Sequence, residues 1–310
     1  MGSQAFELLI LGSSSASPTA ERNQSAQLLN IAERFFLIDC GEATQIQLRK
    51  FKAKFQKIDH IFISHLHGDH FFGLPGYLSS MHLLGRQQEI NIYCPKELKD
   101  IIDAIHHISE TKLNYQINWY FTDNSKQNLL FEDDKVEVYS FPLKHRIYCT
   151  GFLFKEKSYP RKVDKYLMEK HSVSTADVHL LRAGLDVTNE KGELIKNNLV
   201  TIDPPKARSY AYCSDTIYDE TLVKYISDVD LLYHESTFLD DKIDRAKQTF
   251  HSTAKQAASI AKQANVKKLL LGHYSARYGH LEQFVTEASE VFDNCKLSIE
   301  GETIHVEHGV

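Results

Sequence analysis

The chain has 310 residues, 42% hydrophobic and 25% charged, with 36 Lys/Arg against 41 Asp/Glu and a formal charge of −5. That length and balance describe a soluble globular protein able to bury a sizeable core in one large domain or two small ones. No run approaches the roughly 20 apolar residues of a membrane helix, and the start Met1-Gly2-Ser3-Gln4 has neither the basic nor the apolar region of a secretory signal, which predicts a cytoplasmic location.

Apolar runs bounded by turn residues predict strands at Phe6 to Leu11, Gln27 to Ile31, Phe35 to Ile38 and Ile61 to Ile63. Between and after them, helical spacing marks Thr44 to Phe51, Leu98 to Ile108, Ser252 to Ala264 and Leu281 to Phe292. Further strands are predicted at Lys135 to Phe141, Tyr210 to Cys213, Leu231 to Tyr233, Lys268 to Leu271 and Thr303 to Val306. The alternation in both halves predicts a layered α/β domain with helices covering sheets. From about Lys155 to Asn198 the rhythm breaks into a polar, charge-rich stretch, an insertion of the kind that is functional or mobile rather than core. The five cysteines, Cys40, Cys94, Cys149, Cys213 and Cys295, are scattered, odd in number and never CxxC, so they read as small core residues rather than disulfides or zinc ligands.

The strand at Ile61 to Ile63 runs into Ser64-His65-Leu66-His67-Gly68-Asp69-His70 and then Phe71-Phe72-Gly73-Leu74-Pro75-Gly76. Three imidazoles and a carboxylate within six residues are the usual ligands of zinc and similar divalent ions. The spacing differs from the helical HExxH pattern, and the glycines and proline predict a tight, non-helical connection. Four ligands so close cannot all serve one ion and leave an open position, so a two-metal site with ligands further along is expected. His145, Asp215 and His273 fit, each just beyond a predicted strand on what would be one edge of the sheets.

Charge is uneven. Residues 144–208 carry 13 Lys/Arg against 8 Asp/Glu, +5, which leaves −10 for the rest of a chain at −5. A second basic cluster is Arg49, Lys50, Lys52, Lys54 and Lys57. Such patches suit a phosphate backbone as well as they suit a solvated face.

With these residues together, the chain resembles the metallo-β-lactamase superfamily and, within it, the ribonuclease Z family. The resemblance runs over nearly the whole chain. It is carried by Leu11-Gly12-Ser13 to Pro18, Arg22-Asn23, Ile38-Asp39-Cys40-Gly41-Glu42, the SHLHGDHFFGLPG segment, His145, Ser214-Asp215-Thr216, His234-Glu235-Ser236-Thr237, His251-Ser252-Thr253 and Gly272-His273-Tyr274-Ser275-Ala276-Arg277-Tyr278. It implies a four-layer αβ/βα sandwich with a protruding flexible arm: one metallo-β-lactamase domain over residues 1–310, with residues 155–198 inserted as a tRNA-binding arm. It also implies two zinc ions per subunit, one held by His65, His67 and His145, the other by Asp69, His70 and His273, with Asp215 bridging. The sequence departs from the family pattern in two places. Val173-Ser174-Thr175-Ala176-Asp177 stands where a Gly-Pro arm tip is common, and no lysine lies between Pro18 and Arg22-Asn23.

The implied activity is removal of 3′ trailers from precursor tRNA by a cytoplasmic homodimer. Asp69 would orient water and accept its proton, His251 would act as general acid, and Glu235 would orient His251. Arg22, Asn23, Arg277 and Tyr278 are candidate substrate contacts. Two other readings stay open. A small-molecule phosphodiesterase, arylsulfatase or lactonase of the same superfamily would share the metal loop but need no arm, and a non-catalytic nucleic-acid-binding member would have lost ligands.

Overall fold

The computed structural model describes residues 4–308; Met1 to Ser3, on which the absence of a signal segment was partly read, lie outside them. The chain forms two compact units, one from residues up to 155 together with 208–307, the other from 156–207 with His308. Among the described residues no helix is long and apolar enough to cross a membrane.

The first unit contains two seven-stranded sheets. Their strands are β1 (Phe6–Gly12), β2 (Ala26–Ile31), β3 (Arg34–Cys40), β4 (Ile58–Phe62), β5 (Ile90–Cys94), β6 (Ile117–Phe121), β7 (Asn128–Glu132), β8 (Val136–Pro142), β9 (Thr150–Glu156), β10 (Ser209–Cys213), β11 (Leu231–Glu235), β12 (Leu269–Gly272), β13 (Cys295–Leu297) and β14 (Thr303–His305). One sheet runs β14-β1-β2-β3-β4-β5-β6, the other β13-β12-β11-β10-β9-β8-β7.

Side chains alternate across each strand, so each sheet has two apolar faces to cover. Leu8 and Ile10 of β1, Phe62 of β4, Phe152 and Phe154 of β9 and Leu270 of β12 meet in one buried layer between the sheets. There Phe62 stacks on Tyr93 at 4.4 Å and meets Phe152 edge-on at 5.3 Å, the offset and T-shaped geometries that ring quadrupoles favour. The outer face of the first sheet packs Ile61 and Ile63 on Leu74, Leu78 and Leu98 of helices Leu74–Leu83 and Glu97–Ile108. The outer face of the second packs Leu269 and Leu271 on Ala257, Ala258 and Ala261 of helix Ala254–Gln263 and on Phe284 of helix Glu282–Ser289. The result is the four-layer α/β/β/α arrangement that the resemblance implied.

Two local differences have clear causes. The stretch after His67 is helical, with one turn at Gly68–Phe71 and then helix Leu74–Leu83. Pro75 sits in the first turn, where its missing N–H costs nothing, so the proline that predicted a break instead starts a helix. Gly73 is there for space: a Cβ would lie 1.9 Å from the Gly41 carbonyl oxygen. The β9 strand escaped the sequence reading because Gly151 interrupts it; a Cβ at Gly151 would meet the Phe141 ring at 2.4 Å.

The second unit is thin. Short helices Lys165–Lys170, Val178–Arg182 and Asn197–Val200 and two tiny antiparallel strand pairs enclose Met168, Val173, Leu181, Val187, Ile195 and Val200. Residues 156–207 hold nine Lys/Arg against eight Asp/Glu, so most of the local +5 belongs to Lys144, Arg146, Lys155 and Arg208 outside the unit.

Candidate metal centre and active site

Parallel strands end level, and their carboxyl ends are where side chains of an α/β sheet converge. β10, β11 and β12 are parallel, with Cys213 opposite His234 and Glu235 opposite Gly272. This register brings Asp215, Glu235 and His273 out side by side. From the other sheet β4 delivers His65, and the following helical turn presents Asp69 and His70 one residue apart. His145 lies between β8 and β9, and His251 lies two residues before Thr253, the cap of helix Ala254–Gln263. Thr253 and Gln256 fix that helix start through a reciprocal capping box.

The seven candidate ligands come together as two groups. In one, His67 Nδ1 lies 3.1 Å from His65 Nε2 and 3.2 Å from His145 Nε2. In the other, His70 Nε2 and His273 Nε2 are 3.3 Å apart, and each is 3.4 Å from Asp69 Oδ2. Asp215 serves both: Oδ2 faces His65 Nε2 at 3.5 Å and His145 Nε2 at 3.8 Å, while Oδ1 faces His70 Nε2 at 3.4 Å and His273 Nε2 at 3.1 Å.

The partners of the outer ring nitrogens test whether this set suits cations. His70 Nδ1 donates to Asp39 Oδ2 at 2.7 Å and His145 Nδ1 to the Phe250 carbonyl at 2.9 Å. His65 Nδ1 donates to Ser64 Oγ at 3.0 Å, whose own hydrogen goes to Asp39 Oδ2 at 2.9 Å. His273 Nδ1 donates to Thr237 Oγ1 at 2.9 Å, whose hydrogen goes to Glu235 Oε2 at 2.8 Å. With these tautomers four inward Nε2 atoms are bare lone pairs facing one another at close range, an arrangement that repels itself until a cation sits between. The donor set therefore fits divalent metal. His67 is the exception in orientation, since its Nε2 lies 3.3 Å from Arg146 Nη2. Ligation through Nδ1 would put a hydrogen on Nε2 facing a guanidinium that has no acceptor, so Arg146 must turn away when metal is held.

Electrostatics divide the site. Burial disfavours a charge on His70, but the carboxylates of Asp215, Asp69 and Asp39 outweigh it and raise that imidazole well above its ordinary value, so that it holds a proton that a cation among the same groups would displace. His67 and His145 are shifted the other way. Burial, then the neighbouring imidazoles, lowers the pKa of His67 to about 4. Burial likewise lowers His145 to about 4 against the pull of Asp215; both rings are neutral, the ligand form. Burial disfavours the charged form of Asp215, but His273, His70 and His65 outweigh it and hold the carboxyl well below its ordinary range. His251 is different. Its Nδ1 donates to Glu235 Oε1 at 2.9 Å, and although burial opposes the charge, the Glu235 carboxylate raises the imidazole to about 9. Glu235 is wholly buried and held by the Thr216 N–H, the Thr237 N–H and the Thr237 hydroxyl at 3.1, 3.0 and 2.8 Å.

His67, Asp69, His145, Asp215, His251 and His273 line a cavity of about 460 Å³. His251 also borders a second cavity of about 260 Å³ with Phe238, Arg245 and Arg277. Arg277 stacks over the Phe238 ring at 5.1 Å. The other three candidate substrate contacts are engaged by the protein itself. Arg22 donates to the Tyr278 carbonyl at 2.8 Å, Asn23 bonds Glu300 at 2.9 Å, and the Tyr278 hydroxyl accepts from the Leu239 N–H at 3.2 Å. Asp39 and Thr237 carried no role in the sequence reading, although a carboxylate closing the apolar run Phe35-Phe36-Leu37-Ile38 was a usable signal for the first. Asp39 is fully buried, has φ +54°, and also accepts from the Tyr212 hydroxyl at 2.7 Å.

Curated relatives and solved structures match nearly the whole length. Ribonuclease Z of Cytophaga hutchinsonii is 49% identical over 303 residues, 97% of this chain and 96% of that one. The crystal structure of human tRNase Z, short form, superposes with a TM-score of 0.71 at 30% identity, covering 97% of this chain and 99% of that chain. The metallo-β-lactamase fold protein YhfI from Bacillus subtilis, 16% identical, shares the fold at a TM-score of 0.68 over 98% of this chain and 100% of its own. The family model described as Anti-Pycsar protein Apyc1 matches residues 6–197. That match ends before Asp215, Glu235, His251 and His273, which the full-length relatives span.

Proposed function

The chain belongs to the ribonuclease Z family of metallo-β-lactamase-fold hydrolases, and over residues 6–197 to the family described as Anti-Pycsar protein Apyc1; we propose that it is the zinc-dependent endoribonuclease that cuts precursor tRNA beside the discriminator base, removing the 3′ trailer and leaving a 3′-hydroxyl. The observation that carries this reading is Asp215, whose two oxygens face two separate donor groups beside the Glu235–His251 pair.

Phosphodiester hydrolysis needs an activated water, neutralisation of charge on the reacting phosphate and a proton for the departing oxygen. Two zinc ions, held by His65, His67 and His145 and by Asp69, His70 and His273 with Asp215 bridging, would supply the first two. Asp69 lines the cavity and is assigned the proton of the attacking water. His251 is assigned the proton donation. Glu235 keeps it protonated at neutral pH and fixes Nδ1, so Nε2–H is the proton offered to the departing 3′ oxygen. Arg277, with a fixed charge at the cavity His251 shares, is the proposed contact for a flanking phosphate.

Residues 155–198, all but Lys155 of which lie in the second unit, are the proposed tRNA-binding arm. A homodimer in the cytoplasm completes the reading. The homodimer is supported by the stripe Ile101, Ile105 and Ile108 on one face of helix Glu97–Ile108, exposed by 37%, 39% and 81%. The deciding experiment incubates zinc-loaded protein with 3′-extended precursor tRNA, with and without CCA, and maps the cut. Cleavage beside the discriminator base is expected, and cleavage elsewhere or none defeats the reading.

A further inference from the structure

Ala16, like Asp39 and His273, is a residue of the site with a left-handed backbone. Its φ of +54° lies in the left-handed region that a side chain disfavours. In that conformation its N–H donates to Asp69 Oδ2 at 2.7 Å while its carbonyl accepts from Gln24 Nε2 at 2.8 Å. The strained backbone thus puts a donor on the same carboxylate oxygen that faces His70 and His273. The loop around it is closed at its base, where the Ser13 and Ser14 N–H groups both donate to the Asn23 carbonyl at 3.0 and 2.8 Å.

That base is held from far along the chain. Glu300, in the turn between β13 and β14, accepts from the Asn23 N–H at 2.6 Å, from Asn23 Nδ2 at 2.9 Å and from the Ser13 N–H at 3.4 Å. Its second oxygen also accepts from Gln47 Nε2 at 2.8 Å, and the same amide donates to the Leu11 carbonyl at 2.7 Å. One side chain therefore clips both ends of the loop to helix Thr44–Lys50 and to the end of β1, while lining neither cavity.

We propose that Glu300 is a positioning residue for the hydrolysis: through the loop from Ser13 to Gln24 it keeps the Ala16 N–H on Asp69 and so fixes the orientation of that carboxylate. This rests on the reading of Asp69 as part of the metal centre. Full-length, zinc-loaded Glu300→Ala and Glu300→Gln are compared with the unaltered protein in hydrolysis of bis-p-nitrophenyl phosphate, in the rate at which a chelating dye strips zinc, and in thermal unfolding. Glu300→Ala should lower kcat about 10-fold with KM within about 2-fold and release zinc about 10-fold faster, the lower end of what losing a ligand's outer partner costs. Glu300→Gln keeps one acceptor oxygen and should fall between. A variant that melts earlier but keeps turnover and zinc release overturns the proposal. If Glu300→Ala does not fold, Glu300→Gln decides alone, and unchanged zinc release in it overturns the proposal too. An unaltered protein that cleaves neither this diester nor precursor tRNA defeats the functional reading instead, and zinc release still decides Glu300.

Discussion

The two units are built to opposite standards. The larger closes three apolar layers around its sheets and ties His65, His70 and His273 each to a second buried group, Ser64, Asp39 and Thr237. The smaller has six buried apolar side chains and spends its charges on local pairs such as Lys196–Asp186 at 2.9 Å and Arg161–Asp203. Chemistry at a phosphodiester demands donor atoms fixed to a fraction of an ångström. The role proposed for the smaller unit, holding a large nucleic acid, only demands that a surface be presented. The difference also corrects a charge argument, because residues 156–207 are nearly neutral and the basic excess lies in the segments on either side.

The comparison breaks first at the centre. Asp215→Ala removes the one carboxylate shared by both donor groups. It should abolish binding of a second metal equivalent in elemental analysis and lower turnover on any phosphodiester on the order of 1,000-fold or more. Retained activity would mean that the two groups do not act together.

Next comes the proton. His251→Ala should lower kcat by about 100- to 10,000-fold while metal content stays unchanged; loss of metal would make His251 a ligand instead. The pH dependence has a definite sign. An imidazole raised to about 9 is protonated below that value and loses its proton as pH rises through it, so kcat should fall on the alkaline side. Cations in the adjacent groups pull that limb below 9, and Glu235→Gln, which removes the stabilising charge, should move it lower still.

Asp39→Asn is subtler, keeping the shape but replacing a charged acceptor for His70 with a neutral one. Metal affinity measured by chelator competition should fall about 10- to 100-fold, and no change would show that orientation rather than charge is what Asp39 provides.

The smallest effect on chemistry should come from the small unit. Leu181→Ala empties a fully buried position and should cost that unit about 3 kcal/mol. Proteolysis within 156–207 should quicken and precursor tRNA cleavage should weaken, while bis-p-nitrophenyl phosphate hydrolysis remains within about 2-fold because the larger unit carries the donor groups. A loss shared equally by both substrates would remove the distinction between the units.

Much of the larger unit was legible in the chain. The runs at Phe6, Gln27, Phe35 and Tyr210 became strands because buried β structure needs continuous or alternating apolar residues, and these had them. The β6 strand did not stand out, since an edge strand with no fully buried residue has no pattern to display. Glycine and proline misled twice, at Gly151 and Pro75, where close packing and a helix start used the residues that usually mark turns.

The sequence by itself determined the kinds of ligand and their places just beyond strand ends, because residue chemistry and hydrophobic period are local properties. Only the tertiary structure decided that one oxygen of Asp215 meets His65 and the other His273, that Glu235 reaches His251, and that Asp39 and Thr237 orient the rings. Those relations join residues 16 to 150 positions apart, and number along a chain carries no distance until the sheets have paired.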